Sequence, residues 1–109
     1  MHRIFVGVDA LLVPSRIEPC GLVQVYAQRY GAFSVAQRTG GLIDTIVDFD
    51  HGEGTGFLFD EPTAESLLRT IDRFRSVEWQ MAASRAMSLV RDWRRPAAEY
   101  EQLYGEIRA

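Results

Sequence analysis

Ala10-Leu11-Leu12-Val13-Pro14-Ser15-Arg16-Ile17-Glu18-Pro19-Cys20-Gly21-Leu22 joins a short apolar run to a polar turn that ends on glycine, and its reading decides the fold. Ala10-Leu11-Leu12-Val13 is apolar at every position, the pattern of a strand covered on both faces in a parallel sheet, and Pro14 ends it. Beyond the turn, residues 21–30 carry Leu22, Val25, Tyr26 and Tyr30 at helical spacing, and Gly31 supplies a helix stop. Residues 32–36 then read as a second strand. Strand, helix, strand is the βαβ unit, whose two strands run parallel. The turn of residues 14–22 therefore lies at the carboxyl end of a strand. Open parallel sheets bind ligands there, and the free N–H groups at a helix start attract anions. One carboxylate, Glu18, and one thiol, Cys20, sit in this turn.

Working outward, Ile4, Phe5 and Val8 have the spacing of a helix end, so the start of the chain reads as the tail of something longer. After the second strand, Gln37-Arg38-Thr39-Gly40-Gly41-Leu42 is a further glycine turn before a short helix over residues 42–47, and both turns are expected on the same edge of the sheet. Residues 48–56 read as an acidic loop, and residues 56–59 as a third strand closed by Asp60-Glu61-Pro62. Three helices follow. Thr63 caps the first, with Leu67, Leu68, Ile71 and Phe74 as its apolar stripe. Ser76 is the expected cap of the second, with Trp79, Ala82, Ala83, Ala86, Met87 and Val90 inward. Pro96 suits the first turn of the third, where Tyr100, Leu103, Tyr104 and Ile107 recur. The expected fold class is α/β: a partial doubly wound, Rossmann-like parallel sheet of about three strands with flanking helices and a C-terminal helical segment, in one partial domain over residues 1–109.

The 109 residues carry a net charge of −3, with 12 basic and 15 acidic side chains spread along the chain. That balance offers no basic stripe for nucleic acid. No apolar run approaches the roughly 20 residues of a membrane helix, and no signal peptide is evident, so the cytoplasm is the expected compartment. The single cysteine cannot form an internal disulfide.

Each candidate has a plain reading beside the functional one. A loop glutamate is ordinarily a solvated charge, but Glu18 at a helix mouth could accept sugar hydroxyls while nearby amides hold a phosphate. Cys20 reads as a small buried hydrophobe, an unused thiol or, less readily, a nucleophile, since no histidine is near it in sequence. His2 and His51 read as exposed. Gly40-Gly41 is either a simple turn or a place where backbone approaches a ligand closely. The acids of residues 44–53 lack the ligand order of an EF-hand, so no metal site is assigned. Trp79, Trp93 and the Tyr100/Tyr104 pair read as anchors of helix packing.

Asp9-Ala10-Leu11-Leu12-Val13-Pro14-Ser15-Arg16, Glu18-Pro19-Cys20-Gly21-Leu22, Gln24, Tyr26-Ala27, Arg29-Tyr30-Gly31, Arg38-Thr39-Gly40-Gly41-Leu42, Asp44-Thr45, Thr55-Gly56-Phe57 and Phe59-Asp60 together resemble the bacterial glycogen and starch synthases. These are retaining glucosyltransferases of the two-Rossmann-domain GT-B fold that use ADP-glucose or UDP-glucose. Asp92-Trp93, Ala97-Ala98, Tyr100 and Leu103-Tyr104 resemble the family's closing helices, so the likeness covers nearly the whole chain. The resemblance implies that Glu18 holds hydroxyls of the donor glucose as the catalytic carboxylate. It further implies that the backbone at Cys20, Gly21 and Leu22 contacts the donor's sugar and diphosphate, that Thr39, Gly40 and Gly41 face the distal phosphate and glucose, and that Arg16 and Tyr26 support the site. Partners would be the nucleotide sugar and an α-1,4-glucan, with no cofactor. Val23, Ile17 and Ala32-Phe33-Ser34 depart from the family's usual residues. The family's amino-terminal domain and the first half of its second domain have no counterpart here. The implied part is the second half of the C-terminal nucleotide-sugar-binding domain. Two expectations follow: the isolated chain is not a competent synthase, and the open sheet edge is covered by a second copy or a companion chain. A non-catalytic module that binds a nucleotide sugar or phosphate, and an assembly domain without ligand, stay open as alternatives.

Overall fold

The computed structural model describes residues 1–49, 53–89 and 92–108, without the side chain of Trp79. The elements are α1 (His2–Gly7), β1 (Ala10–Val13), α2 (Val23–Arg29), β2 (Phe33–Gln37), α3 (Gly41–Thr45), β3 (Gly56–Phe59), α4 (Ala64–Arg75), α5 (Trp79–Ser88) and α6 (Arg94–Arg108). The three strands form a parallel sheet in the order β1-β2-β3. Ala10 pairs with Phe33 and Val13 with Ala36, while Val35 pairs with Phe57 and Gln37 with Phe59. This is the expected α/β architecture, and β1 and β3 occupy the expected residues.

Alternation along β2 and β3 divides the core between two faces. Val13, Ala36, Leu42, Ile46 and Leu58 pack together on one, and Phe33, Val35, Phe57, Phe59 and Ala82 on the other, where Leu67, Ile71 and Phe74 of α4 join them. Phe33, Phe49, Phe57 and Phe74 pack in tilted and edge-to-face pairs at centroid distances of 5.4–6.2 Å. With apolar cover on both faces, β2 and β3 are buried at every position. β1 departs from the expectation: it is an edge strand among the described residues, and Leu12 is 49 % exposed.

Local signals account for the helix ends. α2 closes at Gly31, whose φ of 79° lies in the left-handed region. The Gly31 amide donates to Gln28 O at 3.0 Å and the Ala32 amide to Ala27 O at 2.9 Å, the two bonds of a Schellman stop. At the head of α4 the Thr63 hydroxyl accepts from the Ser66 amide at 3.2 Å, as expected of a cap.

Other expectations are corrected. Ser76 ends α4, its hydroxyl donating to Arg73 O at 2.7 Å, and the cap position of α5 is Glu78. Leu68 points away from the Leu67–Ile71–Phe74 stripe and is 60 % exposed, because adjacent residues on a helix lie about 100° apart. Met87 is also exposed, whereas Ala82 and Ala86 are buried as expected. The expected helix over 42–47 is Gly41–Thr45, and the one over 21–30 starts only at Val23, because Gly21 at φ 70° stands outside helical backbone. No residue of α6 is buried. Tyr100, Leu103, Tyr104 and Ile107 do share a face, but nothing among the described residues covers it, so the Tyr100/Tyr104 pair and Trp93 anchor no packing here. The expected inward positions Trp79, as a side chain, and Val90, and the expected exposure of His51, lie outside the described residues.

A charge cluster forms around Asp48, at the start of the acidic loop. Asp48, 6 % exposed, accepts from Arg38 Nη2 at 2.9 Å and from Arg73 Nη2 at 3.4 Å. Arg38 also reaches Asp60 at 2.6 Å. The Asp60 hydrogen bond and charge, with that of Asp48, hold the Arg38 guanidinium above its ordinary pKa despite some desolvation.

Candidate functional site

The turn after β1 and the turn after β2 open on the same edge of the sheet, as two consecutive parallel strands require. They are also bonded to one another. The Gly41 amide donates to Glu18 O at 2.9 Å, and the Thr39 hydroxyl donates to Arg16 O at 3.4 Å. Two glycines make this approach possible. Gly40 has φ 48° and ψ −134°, backbone that side chains rarely adopt, and a Cβ there would overlap the Glu18 carbonyl oxygen. A Cβ on Gly41 would overlap the Cys20 carbonyl. The glycine pair is therefore more than a simple turn: its backbone packs closely against the carbonyls of the first turn.

The structure thus brings together Arg16, Glu18, Cys20, Gly21, Leu22, Thr39, Gly40 and Gly41. Glu18 is half-buried, with Oε2 accepting from the Ser15 hydroxyl at 3.2 Å. Two residues along, Cys20 is exposed, which removes its reading as a buried hydrophobe. The amides of Cys20, Gly21 and Leu22 donate to no group among the described residues. Because α2 spans only 7 residues, the positive potential here comes from these individual N–H groups more than from a helix dipole. Tyr26 stands apart from the cluster. Its amide bonds to Leu22 O at 3.0 Å, but its ring faces Phe5 of α1 at 6.4 Å.

Two cavities flank the joined turns. One, of about 240 Å³, lies between Pro14, Arg16, Gln37, Phe59 and the head of α4. The other, of about 330 Å³, lies beside Cys20, Gly21 and Leu22 and is walled by Val25, Trp93 and Pro96. Trp93, read from sequence as a packing anchor, is 81 % exposed at its rim. No cluster of three metal-ligating side chains occurs among the described residues. Gln24 and Thr45 escaped the sequence reading of the site. Both were quoted for the family likeness but given no role; Gln24 is fully buried and bonds to Gly21 O and Thr45, which helical spacing alone does not foretell.

The family model described as glycosyl transferases group 1 matches residues 1–88. A glycogen synthase of Anaeromyxobacter dehalogenans is 48 % identical over 94 % of this chain and 23 % of its own length. A glycogen synthase of Yersinia enterocolitica is 43 % identical over 97 % of this chain and 24 % of its own length. Among solved structures, the catalytic domain of starch synthase IV from Arabidopsis thaliana, bound to ADP and acarbose, superposes with a TM-score of 0.83 at 32 % identity, covering 94 % of this chain and 23 % of that one. The chain spans about a quarter of the length of the curated relatives it matches. The resemblance read from the glycine turns is borne out by the family match, the relatives and the structural superposition alike, and the chain belongs to the group 1 glycosyl transferase family.

Proposed function

We propose that this chain is the donor-binding part of a glucosyltransferase that moves glucose from ADP-glucose, or UDP-glucose, to the non-reducing end of an α-1,4-glucan. The observation that carries this reading is the bonded pair of turns, which sets the Glu18 carboxylate and the amides of Cys20, Gly21 and Leu22, without partners among the described residues, on one loop locked to the 39–41 turn.

In this reading Glu18 accepts hydrogen bonds from hydroxyls of the donor glucose, and Thr39, Gly40 and Gly41 lie against the distal phosphate and sugar. A retaining transfer leaves negative charge on the departing nucleoside diphosphate, and preset N–H groups stabilise that charge in the transition state. Cys20 contributes its backbone and not its thiol. Arg16 supports the turn through its carbonyl, and Tyr26 lies at the margin. The likeness to a starch synthase bound to ADP and acarbose supports the choice of ligands.

We place the chain as one partial domain, the second half of the C-terminal nucleotide-sugar-binding domain of a two-domain enzyme of the cytoplasm. Among the described residues no helix is long and apolar enough to cross a membrane. With about a quarter of the relatives' length present, the chain supplies one wall of a cleft and does not transfer glucose alone. The edge of β1, unpaired among the described residues, is covered in the isolated chain by a second copy or a companion chain.

Calorimetric titration with ADP-glucose tests the reading. Saturable heat is expected, lost in Glu18→Gln and weakened in Gly21→Pro, which cannot keep φ at 70°. A parent chain that gives no heat refutes the donor-binding part of the proposal.

A further inference from the structure

Beneath the two turns runs a buried relay of hydrogen bonds. Gln24 on α2, with 0 % exposure, donates one amide proton to Gly21 O at 2.8 Å and the other to Thr45 Oγ1 at 2.9 Å. The Thr45 hydroxyl passes its own proton to Gly41 O at 2.8 Å. Every proton in the relay is used, so the donor direction is fixed: the amide group of Gln24 faces the first turn, and the hydroxyl of Thr45 faces the second. The carbonyl backs of Gly21 and Gly41 are thereby tied through two side chains. Their front is tied separately, by the Gly41 amide on Glu18 O at 2.9 Å.

Two observations mark the relay as more than ordinary packing. Gln24 Oε1 is buried and has no hydrogen-bond partner among the described residues, an arrangement that costs stability and persists where something else dictates the amide's position. Gly21 is also matched to it, because a Cβ there would sit 2.7 Å from both Gln24 amide atoms. Turn and strut occupy adjoining space with no slack between them.

We infer that Gln24 and Thr45 are positioning residues: a strut that holds the two glycine turns at one separation and so sets the aim of the backbone amides of Cys20, Gly21 and Leu22. The inference rests on the donor-site reading for its purpose, but the strut itself can be measured without any ligand.

Amide hydrogen exchange of the full chain, followed by NMR, reads it. Thr45→Val keeps the side-chain shape but neither accepts nor donates. In this variant the Gly41 amide exchanges about ten-fold faster than in the parent, while the Val35 and Phe57 amides of the sheet keep their rates. Thr45→Ser, which retains the hydroxyl, restores the slow rate. Gln24→Met reproduces the local acceleration, and the double variant adds nothing to either single change, as members of one relay must behave. An unchanged Gly41 rate in both single variants overturns the inference. So does equal acceleration throughout the sheet, which would report general loosening. ADP serves as the probe of purpose in the same samples: Thr45→Val weakens ADP binding and Thr45→Ser recovers it. ADP affinity unchanged beside a faster Gly41 amide overturns the positioning role. A parent chain indifferent to ADP counts against the donor-site reading, and the strut then stands or falls on the exchange rates.

Discussion

The backbone of Gly41 donates to the backbone of Glu18 at 2.9 Å, which joins the turn after β2 to the turn after β1 without the help of any side chain. Neither partner of this bond is a side chain that can be deleted, so the direct way to break it is to force the two turns apart. Gly40 and Gly41 are where that force is most easily applied, because a methyl group at either meets a carbonyl of the first turn. Gly40→Ala is expected to lower stability by about 3 kcal/mol, the sum of a backbone strain near 1–2 and an overpacking cost of similar size. Urea denaturation checks this, and a midpoint equal to the parent's would mean that the two turns are independent.

Asp48 and Asp60 both pair with Arg38 but differ in surroundings. The Asp48 side chain is 5 % exposed and the Asp60 side chain 74 %. Asp48→Asn should cost about 2 kcal/mol, since it replaces a buried carboxylate that accepts from two partly exposed arginines by a neutral amide. Asp60→Asn should cost under about 1 kcal/mol, because water already screens that pair. Equal losses in chemical denaturation would mean that burial does not set the difference.

Gly31 has φ 79°, and a Cβ there would come 3.1 Å from Met87 Sδ. Gly31→Ala is expected to lose about 1–2 kcal/mol from the left-handed backbone, with little added by the flexible methionine. A Gly31→Asn variant, whose side chain tolerates that region, should recover part of the loss in the same thermal melt.

Thr63→Ala removes the acceptor for the Ser66 amide and should cost about 1 kcal/mol, with Thr63→Ser near the parent. Circular dichroism melts resolve a change of that size. An alanine variant as stable as the parent would show that water caps α4 equally well.

Glu18→Gln and Cys20→Ala separate side-chain from backbone roles in the first turn. Both positions carry solvent-accessible side chains, so neither change should disturb folding. Cys20→Ala is expected to leave ADP-glucose binding intact, and Glu18→Gln to abolish it. Loss of binding in Cys20→Ala would return the thiol to the site.

Much of the architecture was legible because the signals are local. The apolar run Ala10–Val13 and the short segment Gly56–Phe59 are strands as read, and Thr63 and Gly31 act through bonds to residues within a few positions. Errors arose where a local pattern has two outcomes. Ser76 fits a helix start or a helix end, and only the course of the chain selects the end. The stripe Tyr100, Leu103, Tyr104 and Ile107 has the spacing of a packed face, yet spacing says nothing of whether a neighbour arrives to cover it.

By itself the sequence determined the order of elements, the parallel sheet, and the two glycine turns with Glu18 and Cys20 between strand and helix. These follow from hydrophobic period and backbone permissiveness, which are properties of residues and near neighbours. Only the tertiary structure decided that the turns are bonded to each other, that Gln24 and Thr45 tie them from behind, and that Asp48 is a buried partner of two arginines. Gln24 and Thr45 stand 21 positions apart, and their hydrogen bond exists only once parallel strands have brought both turns to one sheet edge. Composition and spacing carry no trace of such a contact, because its energy depends on a distance that folding alone creates.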